Sequence, residues 1–271
     1  MAAYTRSAPQ PKIYGYHCDQ RRRFFSVVSR FGANSTTDDQ MSLFMNRNFA
    51  AIVLGGTGQV GAAAVAEMLA VPECRELVMV TRKCIAARPR VRNIVLDTAA
   101  ADFCERTADI ARTALSQGPV SAVSCVGVGS GSARWSEEEL KRLELGVIGA
   151  FARGCHDAGI AHFCLLSAAG SSARSPFRYA RVMAMKEDNI RQIGFTRLAI
   201  FRPGIMVGNA HTPAWAGRLG SLLPRPFGNI DQRILGRSIA AEVALYSREA
   251  GEVIRENAAM KRLASQLNSM T

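Results

Sequence analysis

A chain of 271 residues, 48% of them hydrophobic, is long enough for one large α/β domain or two small ones and can bury a sizeable core. Its formal net charge of +12 fits an anionic partner such as RNA, acidic lipid or a phosphorylated cofactor, but equally a targeting signature or a solvated basic surface. No apolar run approaches the length of a membrane span, and seven cysteines without C-x-x-C or Cys/His ligand spacing argue against zinc and against a disulfide framework.

Residues 1–48 differ from the rest. They carry Arg6, Lys12, the run Arg21-Arg22-Arg23, Arg30 and Arg47 against acids only at Asp19, Asp38 and Asp39. The centre of this stretch alternates basic and apolar residues around Phe24, Phe25, Val28 and Phe31, as a short amphipathic helix does. An arginine- and serine-rich, acid-poor leader of this kind resembles a mitochondrial targeting segment. The alternatives are a disordered tail and an arm that docks on a large protein or ribonucleoprotein assembly. The expected location is therefore mitochondrial, with cytoplasmic as the alternative, and free thiols fit a reducing compartment.

The stretch that organises the chain follows at once. Ala50 to Leu54 is an unbroken apolar run, as in a strand covered on both faces by helices. It runs into Gly55-Gly56-Thr57-Gly58-Gln59-Val60-Gly61 and then into Ala62 to Leu69, a series of strong helix formers. Gly56, Gly58 and Gly61 match the G-x-G-x-x-G spacing, in which glycines allow a tight turn, backbone approach to a pyrophosphate and close helix-to-strand packing. Phosphate oxygens would meet free N–H groups at the positive end of the helix. A dinucleotide is thus the expected ligand.

Glu76 to Thr81 reads as the second strand, ending at Arg82 and Lys83. In a dinucleotide fold this end faces the adenosine ribose, where a basic residue receives a 2′-phosphate and an acid a 2′-hydroxyl. The cofactor expected is therefore NADP (as NADPH), with NAD second. The alternative reading is that both cations are plain surface residues, the commoner fate of Lys and Arg. Ile94 to Asp97 reads as a third strand, with Asp97 placed to hydrogen-bond the adenine amino group. Pro119 to Gly127 is a fourth, with Cys125, Val126 and Gly127 lining the cofactor. Ser136 with Glu139 is a capping-box signal opening a helix to about Ala158, and Ile160 to Ser167 is a fifth strand. Strands separated by helices specify right-handed βαβ units, hence an α/β fold with a doubly wound parallel sheet of Rossmann type.

Gly55 to Gly61, His162 to Gly170, Phe177-Arg178-Tyr179 and Phe201-Arg202-Pro203-Gly204 together resemble the atypical short-chain dehydrogenase/reductases, and among them the Tat-interacting oxidoreductase-like proteins. The resemblance spans about residues 49–266. It implies NADP at the glycine loop, Pro203 and Gly204 near the nicotinamide, and hydride transfer between a carbonyl and an alcohol. It further implies a catalytic Ser and a Tyr-x-x-x-Lys pair, which helical spacing puts on one face. Here Ser167 and Tyr179 are the candidates, but the fourth residue after Tyr179 is Met183, and the residue after Ser167 is Ala168. Without a cation beside it, a phenol of ordinary pKa is only about one part in a thousand ionised at neutral pH. Lys186 lies about 10 Å further along the helix and reads as a solvated lysine.

Phe195 to Phe201 reads as a sixth strand and Gly236 to about Asn268 as helix, whose Ile239, Val243, Tyr246, Val253 and Ile254 are core or partner contacts. Residues 208–232, with Trp215, Leu222 and Leu223, and more broadly 205–268, are expected to supply a small C-terminal substrate-side lobe on the 49–268 domain. His156, His162 and His211 read as structural. Three functions are compatible with these residues: an NADP-binding reductase-like protein impaired at Met183, a structural or assembly subunit of a large mitochondrial respiratory or ribosomal complex, and an active NADPH-dependent carbonyl reductase. Fold alone does not choose among them.

Overall fold

The computed structural model describes residues 48–128, 134–207 and 227–268. The basic leader up to residue 47 lies outside them, as do His211, Trp215, Leu222 and Leu223.

Seven parallel strands form one sheet: β1 (Phe49–Leu54), β2 (Cys74–Thr81), β3 (Val91–Val95), β4 (Val120–Ser124), β5 (His162–Leu166), β6 (Arg197–Arg202) and β9 (Gly251–Glu256), in the order β3-β2-β1-β4-β5-β6-β9. The order reverses between β1 and β4, where the chain first crosses to the other half of the sheet. A separate parallel pair, β7 (Ile205–Val207) with β8 (Asn229–Asp231), lies between β6 and the last layer in sequence. Every residue of β1 and β4 is buried, as expected for strands covered on both faces.

One face of the sheet is covered by α1 (Gln59–Ala70), α6 (Gln232–Tyr246) and α7 (Asn257–Asn268), with Ala64, Val65, Met68, Leu235, Ile239 and Met260 in its core. The other face carries α2 (Phe103–Leu115), α4 (Ile148–Asp157) and α5 (Arg178–Arg191), packed around Ile52, Val80, Phe103, Phe151, Phe163 and Ile200. The helix announced by Ser136 and Glu139 begins with the full capping box: Ser136 Oγ accepts from the Glu139 N–H, and the Glu139 carboxylate accepts from the Ser136 N–H. It is not one regular helix. Between α3 (Glu137–Lys141) and α4 the chain takes a π-helical turn, Arg142–Val147.

The expectation of continuous helix from Gly236 to Asn268 is overturned. Gly251, at φ +100°, starts the edge strand β9, which pairs with β6 from Arg197↔Gly251 to Arg202↔Glu256. The β-branched Val253-Ile254 pair suits a strand, and Val253 packs on the core while Ile254 is 39% exposed. Of residues 205–268, α6, β9 and α7 therefore complete the main sheet and its helical layer.

Charge inside this layer is paired. Glu242 of α6 is fully buried and accepts from Arg197 of β6 at 2.6 and 2.9 Å and from Arg255 of β9 at 2.7 and 3.1 Å. The Tyr246 ring lies 5.9 and 5.5 Å from the two guanidinium groups. Beside them His162, buried on β5, meets Ser121 Oγ of β4 through Nδ1 at 2.9 Å and Cys164 Sγ through Nε2 at 3.4 Å. Burial, helped by the Arg197 charge, pushes the His162 pKa down from 6.5 to about 3. The folded chain thus resists a proton that the unfolded chain takes up below pH 6.5, so stability falls as pH drops through that window. In urea unfolding between about pH 6 and pH 4, this group alone contributes a slope of about 1.4 kcal/mol per pH unit. His162→Gln is expected to flatten that dependence, and an unchanged slope would show that His162 does not set it.

Candidate functional site

The site is built at the carboxyl ends of β1, β2, β4 and β5, where the strand order reverses. Gly55 leaves β1 at φ +80°, and a Cβ there would sit 2.8 Å from the Val126 nitrogen and 2.9 Å from the Cys125 carbonyl carbon. The positive φ falls on Gly55 rather than on Gly56. A Cβ on Gly56 would meet Met79 at 2.8 Å, and one on Gly61 would lie 2.1 Å from the Gly55 oxygen, so helix α1 starts directly against the turn. Val60 and Gly61 are buried; Thr57, Gly58 and Gln59 are exposed. The N-cap is Gly58, with no side chain to cap the helix. Its first N–H groups are left for an anion.

At the end of β2, Arg82 and Lys83 are exposed on a turn whose shape depends on a residue that sequence reasoning missed. Asn93 of β3 donates from Nδ2 to Thr81 Oγ1 at 2.7 Å and to the Met79 carbonyl at 3.2 Å, and its Oδ1 accepts from the Ile85 N–H at 3.1 Å. Thr81 Oγ1 in turn donates to the Lys83 carbonyl at 2.7 Å. Asp97 lies two residues beyond β3, exposed, with Oδ1 taken by the Ala99 N–H, and Leu96 N–H binds the Thr81 carbonyl, so Asp97 sits close to the end of β2. Cys125 is buried and its thiol is pushed up to about 12 by desolvation. Val126 is half-buried and Gly127 exposed.

The second half of the site lies after β5. Ser167 is buried and donates to Glu187 Oε1 of α5 at 2.6 Å. Glu187 also accepts from Arg202 Nε at 2.8 Å and from Arg202 and Arg191 through its other oxygen. The Ser167 hydroxyl proton is therefore committed to a structural carboxylate. Ala169 N–H binds the Pro203 carbonyl, tying the two loops together. Gly204 has a clear need for no side chain: a Cβ would lie 2.2 Å from the Gly228 oxygen. Asn257, also not foreseen, clamps this crossing by accepting from the Gly204 N–H at 3.0 Å and donating to the Gly228 carbonyl at 2.6 Å.

Tyr179 stands in the first turn of α5, packed on a small cluster of Leu140, Val182 and Met183. Burial raises its pKa, and the Glu144 charge raises it further, so the phenol keeps its proton. Met183 is wholly buried. Lys186 corrects the expectation of a solvated lysine. It is 1% exposed, and Nζ donates to Glu144 Oε2 and to the Leu166 carbonyl, both at 2.8 Å.

Among the described residues, no group of three or more His, Cys, Asp or Glu is placed to hold a metal ion, and no helix is long and apolar enough to cross a membrane. A cavity of about 250 Å³ opens at the amino ends of the strands, between Phe49, Ser121, His162, Thr196 and Arg248. It is on the wrong end of the sheet for a dinucleotide.

No family model matches the chain. It is 30% identical over 156 residues to the protein named fmp52, mitochondrial, of Aspergillus clavatus, covering 58% of this chain and 66% of that one. With FMP52-2, mitochondrial, of Scheffersomyces stipitis the identity is 40% over 119 residues, or 44% and 49% of the two chains. The chain thus spans just under two thirds of the first of these relatives and about half of the second. Among solved structures it superposes on the oxidoreductase ylbE of Lactococcus lactis (14% identity, 81% and 97% of the chains, TM-score 0.58). It also superposes on a putative NAD-dependent epimerase/dehydratase from Bacillus halodurans (17%, 80% and 99%, TM-score 0.57). The fold is that of these Rossmann proteins. At such identities the likeness concerns the fold alone.

The Glu187 cluster yields a test. Burial pushes this carboxyl up, but the hydrogen bonds from Arg202 and Ser167 and the nearby Arg191 charge outweigh it and hold the pKa below the usual range. A depressed carboxylate stabilises the fold above its unfolded pKa, and the contribution is lost as pH falls through the folded one. Glu187→Ala, which leaves Arg202 unpaired, is expected to cost about 3 kcal/mol at neutral pH in urea unfolding and to reduce the loss below about pH 4.

Proposed function

We propose that this chain is a mitochondrial, NADP-binding protein of the short-chain dehydrogenase/reductase type, resembling the Tat-interacting oxidoreductase-like proteins, that holds its dinucleotide without an intact hydride-transfer triad. The observation that carries the first half is the Gly55 to Gly61 turn: a helix N-terminus without a side-chain cap, set against the end of β4 at the reversal of strand order. Arg82 and Lys83 at the end of β2 favour a 2′-phosphate over a free hydroxyl. The mitochondrial assignment draws on the relatives' names and on the arginine-rich, acid-poor leader.

The second half follows from the groups around Tyr179. A carbonyl reductase needs a proton donor whose pKa is lowered toward the working pH, whereas burial moves Tyr179 the other way. Met183 offers no charge, Ser167 is spent on Glu187, and Lys186 is spent on Glu144. Binding without efficient turnover is the function these contacts favour.

Ligand that binds only the folded state raises apparent stability by mass action, so an inactive protein still reports. NADPH is expected to raise the thermal midpoint and NADH to raise it less. Arg82→Ala is expected to weaken NADPH binding about tenfold, a change of about 1.4 kcal/mol, while leaving NADH unaltered. No shift with either nucleotide would overturn the proposal.

A further inference from the structure

Asparagine is disfavoured within strands, yet Asn93 stands half-buried in the middle of β3, at the edge of the sheet, and spends its side chain on the turn that follows β2. The direction of each bond is fixed. The Ile85 N–H can only donate, so it faces Oδ1 at 3.1 Å, which turns Nδ2 toward the Met79 carbonyl at 3.2 Å and Thr81 Oγ1 at 2.7 Å. Both amide hydrogens are then used. Because Thr81 Oγ1 accepts from Asn93, its own proton is free to go to the Lys83 carbonyl at 2.7 Å. A single side chain thus ties the start of the turn, at Thr81, to its end, at Ile85, and the Thr81 hydroxyl closes a smaller ring inside it. Arg82, Lys83 and Cys84, which lie between, are exposed.

Ordering a stretch of backbone costs free energy, and a framework that orders it before the ligand arrives removes that cost from binding. Here the stretch held in advance is the one that carries the two cations. The glycine turn from Gly55 to Gly61 takes part in none of these hydrogen bonds. We propose that Asn93, acting through Thr81, is a positioning residue that sets the preference for a 2′-phosphate over a 2′-hydroxyl by holding Arg82 and Lys83 at the end of β2, an assignment that rests on the NADP binding proposed above. Asn93 acts on the backbone of the turn, and the cations act on the ligand. The same Thr81 receives the Leu96 N–H on its carbonyl, so the end of β3 is fixed to the turn as well.

Two variants cut this chain of bonds at different points. Asn93→Leu removes every bond of the amide at nearly constant volume, and Thr81→Val removes only the hydroxyl that links Asn93 to the Lys83 carbonyl. Binding of NADPH and of NADH would be followed by nicotinamide fluorescence for each variant, both alone and in an Arg82→Ala/Lys83→Ala background. Each is expected to weaken NADPH about fivefold and to leave NADH within about twofold. Once the two cations are gone, neither variant should cost anything further, because the pair is coupled. A merely structural role would lower both affinities together and persist without the cations; that result, or NADPH binding unchanged in both variants, would overturn the assignment. Should Asn93→Leu fail to fold, Thr81→Val decides it by the same readings. Wild type that binds the two nucleotides equally, or neither, would instead sink the underlying NADP proposal.

Discussion

The approach of Gly61 to the carbonyl of Gly55 governs the placement of everything at the carboxyl end of the sheet. Where any Cβ would lie 2.1 Å from that oxygen, only glycine lets α1 start against the turn that ends β1. The same turn abuts Cys125 and Val126, so the ends of β1 and β4 are pinned side by side at the point where strand order reverses. At that point the first N–H groups of α1 lack a side-chain cap.

Among the described residues the protein buries three glutamates, and each joins different elements. Glu242 joins α6 to β6 and to the edge strand β9 through Arg197 and Arg255. Glu187 joins α5 to the loop after β5 and to Arg202 before the Pro203-Gly204 turn. Glu144 joins the π-helical turn to α5 through Lys186. Removing a charge from water is costly unless geometry and hydrogen bonds compensate. In the first two, both carboxylate oxygens are engaged; in the third, one is not.

Hydrogen bonding and packing give Ser167 and Tyr179 structural roles. Ser167 and Tyr179 keep their places because Ser167 supports Glu187 and Tyr179 packs on Leu140, Val182 and Met183. Neither role requires transfer of a proton.

Much of the fold was legible in the chain itself, because apolar runs, glycine spacing and the Ser136–Glu139 cap act over a few residues and report the local element directly. The strands through β6, the parallel α/β class and the glycine turn all follow from such local patterns. The edge strand β9 did not, since Glu252 to Glu256 is half exposed and its partner β6 lies about 50 residues earlier. Lys186 and Glu144 were out of reach for the same reason. They are 42 residues apart, and nothing in either local sequence announces a π-helical turn that carries the acid inward. Asn93 and Asn257 likewise read as ordinary polar residues until the backbone groups they satisfy are brought beside them. Sequence by itself determined most of the elements and the glycine turn, whose causes are local. Only tertiary structure decided which charges are buried and which carboxylate oxygen is left free, because burial and pairing are set by neighbours that meet through packing.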